Sequence, residues 1–461
     1  MEIGNVTSPR LSHRVVALCY RILGSQADAL LSRFGGGALW ALAGAIGSQA
    51  LVLVGNFILA RILGVGSYGA FGMLQSTVNL FSAVALLGLS TTASKYVAQY
   101  RNANPAMAGR VIGLSSIAAI AAGAITASLL VVFAPEVCNK ALNAPNLVPE
   151  VRLCALASLL VIVNGHQAGA LGGFEAFRSL TFASIARGVV FVPIVCGGAY
   201  LAGLRGAVLS LATVAAASFI IFSRALRKQC AASGVRVSYR FTRADLSLLW
   251  KFSLPAAIAS FMFAPAAWWT QAALLADRGM AEAGVFNAAF QWRNALLFVT
   301  GAVSVVGLPM LSNAAAGRDL LRYKRLLWLD FLATSTPAVI LALPLAIAAP
   351  LVLRIYGPGF SSGVVALRLI CVFAVLSALN EAVGHVLWSL GYVRVALGVA
   401  ALRGLVLLFA AHGWLRLGAA GLALAYVAVT VVQTAVQVPL LVWLLDWRRP
   451  TWDACKLGPA A

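Results

Sequence analysis

Ile58-Leu59-Ala60 followed by Gly69-Ala70-Phe71 returns, with a one-residue gap, as Leu274-Leu275-Ala276 followed by Gly284-Val285-Phe286. The same offset of about 216 residues joins Asn164 to Asn380, Arg178 to Arg394 and Arg187-Gly188 to Arg403-Gly404, and Gly206 answers to Gly421. Each match is weak alone. Their common spacing predicts a duplicated chain with two related halves.

What the halves are made of follows from composition. The 461 residues are 61% hydrophobic and 10% charged, with a mean hydropathy of +0.92. A water-soluble fold has too little interior to hide that much apolar surface, so lipid must solvate most of it. In hydrocarbon, backbone polar groups must be satisfied within the protein, which leaves helices or a closed barrel. The apolar runs are about 20 residues long and lack two-residue alternation, so helices are predicted. About twelve spans can be drawn: 37–60, 70–93, 111–134, 151–173, 180–200 and 206–223, then 250–276, 285–311, 326–350, 363–390, 395–413 and 418–445. The expected organisation is an N-terminal segment 1–36, a first bundle 37–224, a basic linker 225–249, a second bundle 250–446 and a tail 447–461.

A formal charge of +21 would suggest nucleic acid for a soluble protein. Here the charges follow the loops. Alternate loops with the termini hold about 23 Lys/Arg against about 7 on the other side, which places both termini in the cytoplasm and leaves nucleic acid unneeded as a partner. The stretch 224–251, which contains the linker, alone holds Arg224, Arg227, Lys228, Arg236, Arg240, Arg243 and Lys251. Residues 11–34 read either as an amphipathic helix on the inner membrane surface or as a cytoplasmic tail. The seven cysteines fall singly, without metal-type or redox-type spacing, and read as small apolar fillers. No phosphate-binding Gly loop with Lys-Ser/Thr appears, and no catalytic constellation, metal site or cofactor motif.

The stretch Leu59-Ala60-Arg61-Ile62-Leu63-Gly64, then Tyr68-Gly69 and Leu87-Gly88-Leu89-Ser90, resembles the opening of bacterial polysaccharide exporters and O-antigen-type flippases. These belong to the multidrug/oligosaccharidyl-lipid/polysaccharide exporter superfamily. Phe252-Ser253-Leu254-Pro255, Gly284-Val285-Phe286-Asn287-Ala288-Ala289-Phe290, Leu308-Pro309, Ile355-Tyr356-Gly357 and Gly421-Leu422-Ala423-Leu424-Ala425-Tyr426 continue the likeness in order over most of 37–446. The resemblance implies an all-α, MATE-like membrane protein: two pseudo-symmetric six-helix bundles around a central cavity that opens alternately to each side. It implies an inner-membrane flippase, not an enzyme, for a polyprenyl-pyrophosphate-linked oligosaccharide of surface polysaccharide assembly. Membrane lipids surround it, and a polysaccharide polymerase and assembly proteins are expected nearby. A cation-coupled multidrug exporter of the same fold and a peptidoglycan-precursor flippase stay open as alternatives. The absence of Asp or Glu from 37 to 135 weighs against the first, and a first span without basic residues against the second.

Candidate site residues are those expensive to place in a bilayer. A mid-membrane Arg costs about 2.5–3.5 kcal/mol on insertion scales. Arg187, Arg293, Arg368 and Arg403 fall inside predicted spans, Arg368 shallow enough to snorkel. A guanidinium is always charged and presents a planar fork to phosphate oxygens, which suits an anionic headgroup; helix-locking ion pairs are the other reading. Glu381 with His385 four residues on could exchange protons for coupling, or Glu381 could be a fixed partner of Arg403. Asp330 sits near a span end and calls for no special explanation. Asn164 and Asn380, with His166 and Gln167, read either as cavity lining or as interhelical hydrogen bonds. Trp268 and Trp269 read as interface anchors or a sugar-stacking wall.

Overall fold

The computed structural model describes residues 26–86, 88–240, 243–316 and 320–445. Part of the 11–34 segment and the whole 447–461 tail lie outside these residues. The α-helices of the described residues are α1 (Gln26–Leu86), α2 (Leu89–Tyr100), α3 (Pro105–Glu136), α4 (Val148–Gly173), α5 (Phe177–Ala232), α6 (Arg243–Ala316), α7 (Leu320–Ile347), α8 (Ala349–Tyr356), α9 (Val364–Ser389), α10 (Val393–Trp414) and α11 (Gly418–Leu445), and no strand is found among these residues. Among the described residues, seven stretches are long and apolar enough to cross a membrane, and three of them run to 40, 55 and 50 residues. A crossing needs roughly 20. The chain is therefore a multi-pass membrane protein.

The longest helices double back at breaks that repeat. Gly64 turns α1 with φ 71° and Gly279 turns α6 with φ 86°. Both conformations clash with a Cβ, so glycine stands at the same place in each half. Ala202-Gly203 breaks α5 with φ 57°, ψ −136° at Gly203, and Gly418 opens α11 with φ 65°, ψ −140°. Ala176 and Tyr392, before α5 and α10, share φ −78°, ψ 52°. The internal repeat read from sequence is thus present in the backbone at the same offset.

The basic linker is shorter than expected from sequence. α5 runs on to Ala232 and α6 begins at Arg243, because arginine and lysine are good helix formers once past the membrane surface. The extended backbone between them lies on α3. Ser238 N donates to Gly109 O at 3.2 Å, and a Cβ on Gly109 or Gly113 would overlap the carbonyls of Arg236 and Ser238.

The first lobe (α1–α5) meets the second (α6–α11) chiefly where the second limbs of α1 and α6 face each other. A Cβ on Gly69 would overlap the Met280 carbonyl, and a Cβ on Gly284 would overlap the Val65 carbonyl. Repeat mates exchange roles here: Gly69 answers to Gly284, and Val65 to Met280. Further along, Gly72 abuts its own mate Asn287, and Gln291 Nε2 donates across the seam to Gln75 Oε1 at 3.3 Å. A residue can touch its mate only on the axis relating the two copies. The pseudo-twofold axis therefore runs through this seam. Ser76 donates to Gln271 at 2.6 Å and Trp268 Nε1 to Thr77 Oγ1 at 3.0 Å beside it. An aromatic group of Phe57, Tyr68, Tyr356 and Phe360 packs the same end.

Candidate functional site

From the Gly64 and Gly279 turns to Gln75–Gln291 the seam runs about ten residues, or roughly 15 Å at 1.5 Å per residue. Arg293 comes two residues after Gln291, which bonds Gln75 across the seam. α6 thus delivers a guanidinium at the foot of the seam. Its carbon lies 5.3 Å from the centre of the Phe290 ring and 5.5 Å from that of Phe373 on α9, while Nη1 donates to Asn294 Oδ1 at 3.1 Å. Arg403 on α10 lies 4.6 Å from the Phe263 ring. Cation–π contacts of this kind are worth about 0.5–2 kcal/mol, more where water is scarce. They hold the guanidinium planes without using their hydrogen-bond donors.

Those donors are available. Nε of Arg293 and Nε of Arg403 are buried and make no hydrogen bond. Both residues keep intermediate exposure. Arg293, Arg403, Glu381 and Tyr426 act on one another electrostatically. Two cations share one carboxylate. Among the described residues, no ion pair within 4.0 Å ties Glu381 to either arginine; its near neighbour is His385 Nε2, at 3.9 Å. Glu381 stays 53% exposed. The group as a whole is a half-open, aromatic-walled site with a surplus of positive charge.

A family model described as polysaccharide biosynthesis protein matches residues 34–315. The chain belongs to this family. Among curated relatives, the lipid III flippase of Escherichia coli K12 is 26% identical over 289 residues, 62% of this chain and 68% of the relative. The EPS I polysaccharide export inner membrane protein EpsE of Ralstonia nicotianae is 23% identical over 387 residues, covering 82% and 86%. Among solved structures, an inward-facing MATE-family multidrug transporter of the MOP superfamily matches with a TM-score of 0.75 at 15% identity, over 89% of this chain and 98% of that one. An outward-facing one reaches 0.63 at 16% identity, over 89% and 96%. The family member described here therefore has the MOP-type all-α fold that its sequence motifs resemble.

The other sequence candidates fall elsewhere. Arg187 is exposed on α5 in the first lobe, and among the described residues no ion pair reaches it. The family protein thus presents its repeat-related arginines unequally, Arg403 with the others and Arg187 apart. Arg368 is exposed near the N-terminal end of α9, and its Nε donates to Ala346 O at 3.2 Å, a carbonyl in the last turn of α7. Cations favour such a place because a helix C-terminus carries partial negative charge.

Asn164 and Asn380 do the same thing in both lobes. Asn164 Nδ2 donates to Ala215 O at 2.9 Å, and Asn380 Nδ2 to Thr430 O at 3.2 Å; these acceptors are themselves one repeat apart. Thr434 Oγ1 completes the second clamp by donating to Asn380 Oδ1 at 3.0 Å. His166 pairs with Ser116 Oγ at 2.9 Å, and Gln167 donates to Ser223 Oγ at 2.9 Å. All four make interhelical hydrogen bonds, while Asn164 Oδ1, His166 Nδ1 and Gln167 Oε1 stay buried without a partner. Asn380→Ala is expected to lower stability by about 1–3 kcal/mol, the cost of stranding buried polar partners. A reduced melting temperature with headgroup affinity unchanged would show it. Trp268 bonds across the seam to Thr77, while Trp269 beside it is 52% exposed.

Sequence reasoning passed over Asp330. It is buried, and Oδ2 lies 2.7 Å from His385 Nδ1 on α9. Depth within a predicted span gave no hint of this, because the partner comes from another helix. The rings of Phe263, Phe290, Phe373 and Tyr426 were also missed: in so apolar a chain, an aromatic residue carries no signal until its neighbours are known.

Proposed function

We propose that this protein is a flippase of the bacterial inner membrane that moves a polyprenyl-pyrophosphate-linked oligosaccharide between leaflets by alternating access. The observation that carries the reading is the pair Arg293 and Arg403, two guanidiniums with bare buried Nε groups and one shared carboxylate, at the foot of the interlobe seam. Like charges at close quarters repel, and a pyrophosphate answers both at once. The sugar would pass through the polar cavity while the isoprenoid tail stays in lipid. Curated relatives named for lipid III flipping and polysaccharide export support this cargo class.

The two bundles, 37–224 and 250–446, would move as the gates, with 225–249 joining them and both termini cytoplasmic. The seam then closes the outer side, in keeping with the higher TM-score against an inward-facing transporter. A cationic drug cargo fits poorly, since it would meet a positive site and a first lobe without acids from 37 to 135.

The purified protein should bind a polyprenyl pyrophosphate well above the matching neutral polyprenol, and Arg403→Ala should remove roughly 10-fold or more of the difference. That figure follows from hydrogen bonds to charged groups at about 1.5–3 kcal/mol, with 1.4 kcal/mol per tenfold. Equal affinity for the two lipids would overturn the assignment.

A further inference from the structure

Beside the arginines runs a row of titratable groups that the cargo reading leaves unused. Glu381 is 53% exposed; His385 Nε2 lies 3.9 Å from its Oε1, and His385 Nδ1 lies 2.7 Å from Asp330 Oδ2. The row thus leads inward from an exposed carboxylate to one whose side chain is only 3% exposed. Asp330 Oδ1 has no hydrogen-bond donor. It sits against α6, where a Cβ on Gly307 would overlap it. The other titratable groups facing the row are Tyr323 on α7, whose hydroxyl bonds Ser389 at 2.9 Å and which Asp330 influences, and Arg293 and Arg403, which face Glu381 from α6 and α10.

With a neutral imidazole the row carries two negative charges, opposite two guanidiniums. A pyrophosphate on the guanidiniums cancels that balance and sets further negative charge next to Glu381. The lowest-cost response is one more proton on the row, which an imidazolium can hold by donating Nδ1–H to Asp330 and directing Nε2–H toward Glu381. We propose that the Asp330–His385–Glu381 row takes up a proton when an anionic headgroup occupies Arg293 and Arg403, so that proton and cargo share one occupied state. This rests on the headgroup reading of the arginine pair. The sign is set by the cargo: a cation in the same place would drive the proton off, whereas an anion draws it in. By reciprocity, lower pH tightens the anion's binding. Uptake also lessens the negative charge that Asp330 presses against α6, the helix that carries Gly284, Asn287 and Gln291 of the seam, which gives the proton a route to the gate.

Calorimetric titration of the full-length protein with farnesyl pyrophosphate, at about pH 7 in buffers of different ionisation enthalpy, measures the proton count directly. After correction for the ligand's own ionisation, the expected slope is uptake of a fraction up to about one proton per chain. Asp330→Asn and His385→Gln should still bind with the slope falling toward zero; if either fails to fold, the wild-type slope alone decides. Binding with no proton uptake, or with release, would overturn the inference and leave the headgroup reading standing. No binding by the wild type would remove the headgroup reading, and the proton linkage with it.

Discussion

Arg293→Ala is expected to lower flipping of a pyrophosphate-linked glycan by about 10- to 100-fold at unchanged protein level. The range is the worth of charge-assisted hydrogen bonds, about 1.5–3 kcal/mol, converted at 1.4 kcal/mol per decade. The fold should tolerate the change because the guanidinium holds little together: it touches two ring faces and its sequence neighbour Asn294, and its buried Nε is unbonded. Arg293→Lys keeps the charge but loses the fork, so it should fall between wild type and alanine. Surface polysaccharide run on a gel checks this, with membrane protein quantified in parallel. A normal ladder from cells carrying only the alanine variant would remove Arg293 from the transport pathway.

The second large effect concerns the gate. Gly69→Val should stop transport while leaving an intact protein in the membrane. Any Cβ at Gly69 would overlap the Met280 carbonyl, and backbone on a facing helix cannot swing aside as a flexible side chain does. The lobes must therefore part at this end, and the state with the seam closed becomes inaccessible. A cysteine placed at Gln75, which lies within the seam opposite Gln291, reports the outcome. It should react with a membrane-impermeant maleimide from outside in the Gly69→Val background and resist in the parent. Gly284→Val, the mirror position against Val65, should do the same. Unchanged labelling and transport in both would mean that the seam does not gate.

Much of this architecture can be read from residues, because duplication leaves two copies of every constraint. Gly64 and Gly279 mark equal turns, and Asn164 and Asn380 reach equal carbonyls, so identity at a fixed offset translates directly into geometry. Gly69 and Gly284 carry the same signal and flank the axis; the close approach of their helices was open to a reader of the repeat. The site is less legible for a physical reason. Its residues come from α6, α9 and α10, and what makes Arg293 and Arg403 a pair is proximity across helices rather than spacing along one. Arg187 shows the limit of symmetry: it is the mate of Arg403 by sequence, yet among the described residues no charged group accompanies it. Asp330 shows the limit of depth, since a residue near a span end can still be sealed between neighbours.

Translocation by the purified protein in lipid vesicles tests the central claim most directly. Vesicles would carry a pyrophosphate-linked oligosaccharide in the inner leaflet, and an added glycosidase would report its arrival outside. Wild type should expose the sugar, and the double variant Arg293→Ala/Arg403→Ala should do so no faster than protein-free vesicles. Equal rates for wild type and the double variant would contradict the account, because the two guanidiniums at the foot of the seam would then not be what the cargo meets.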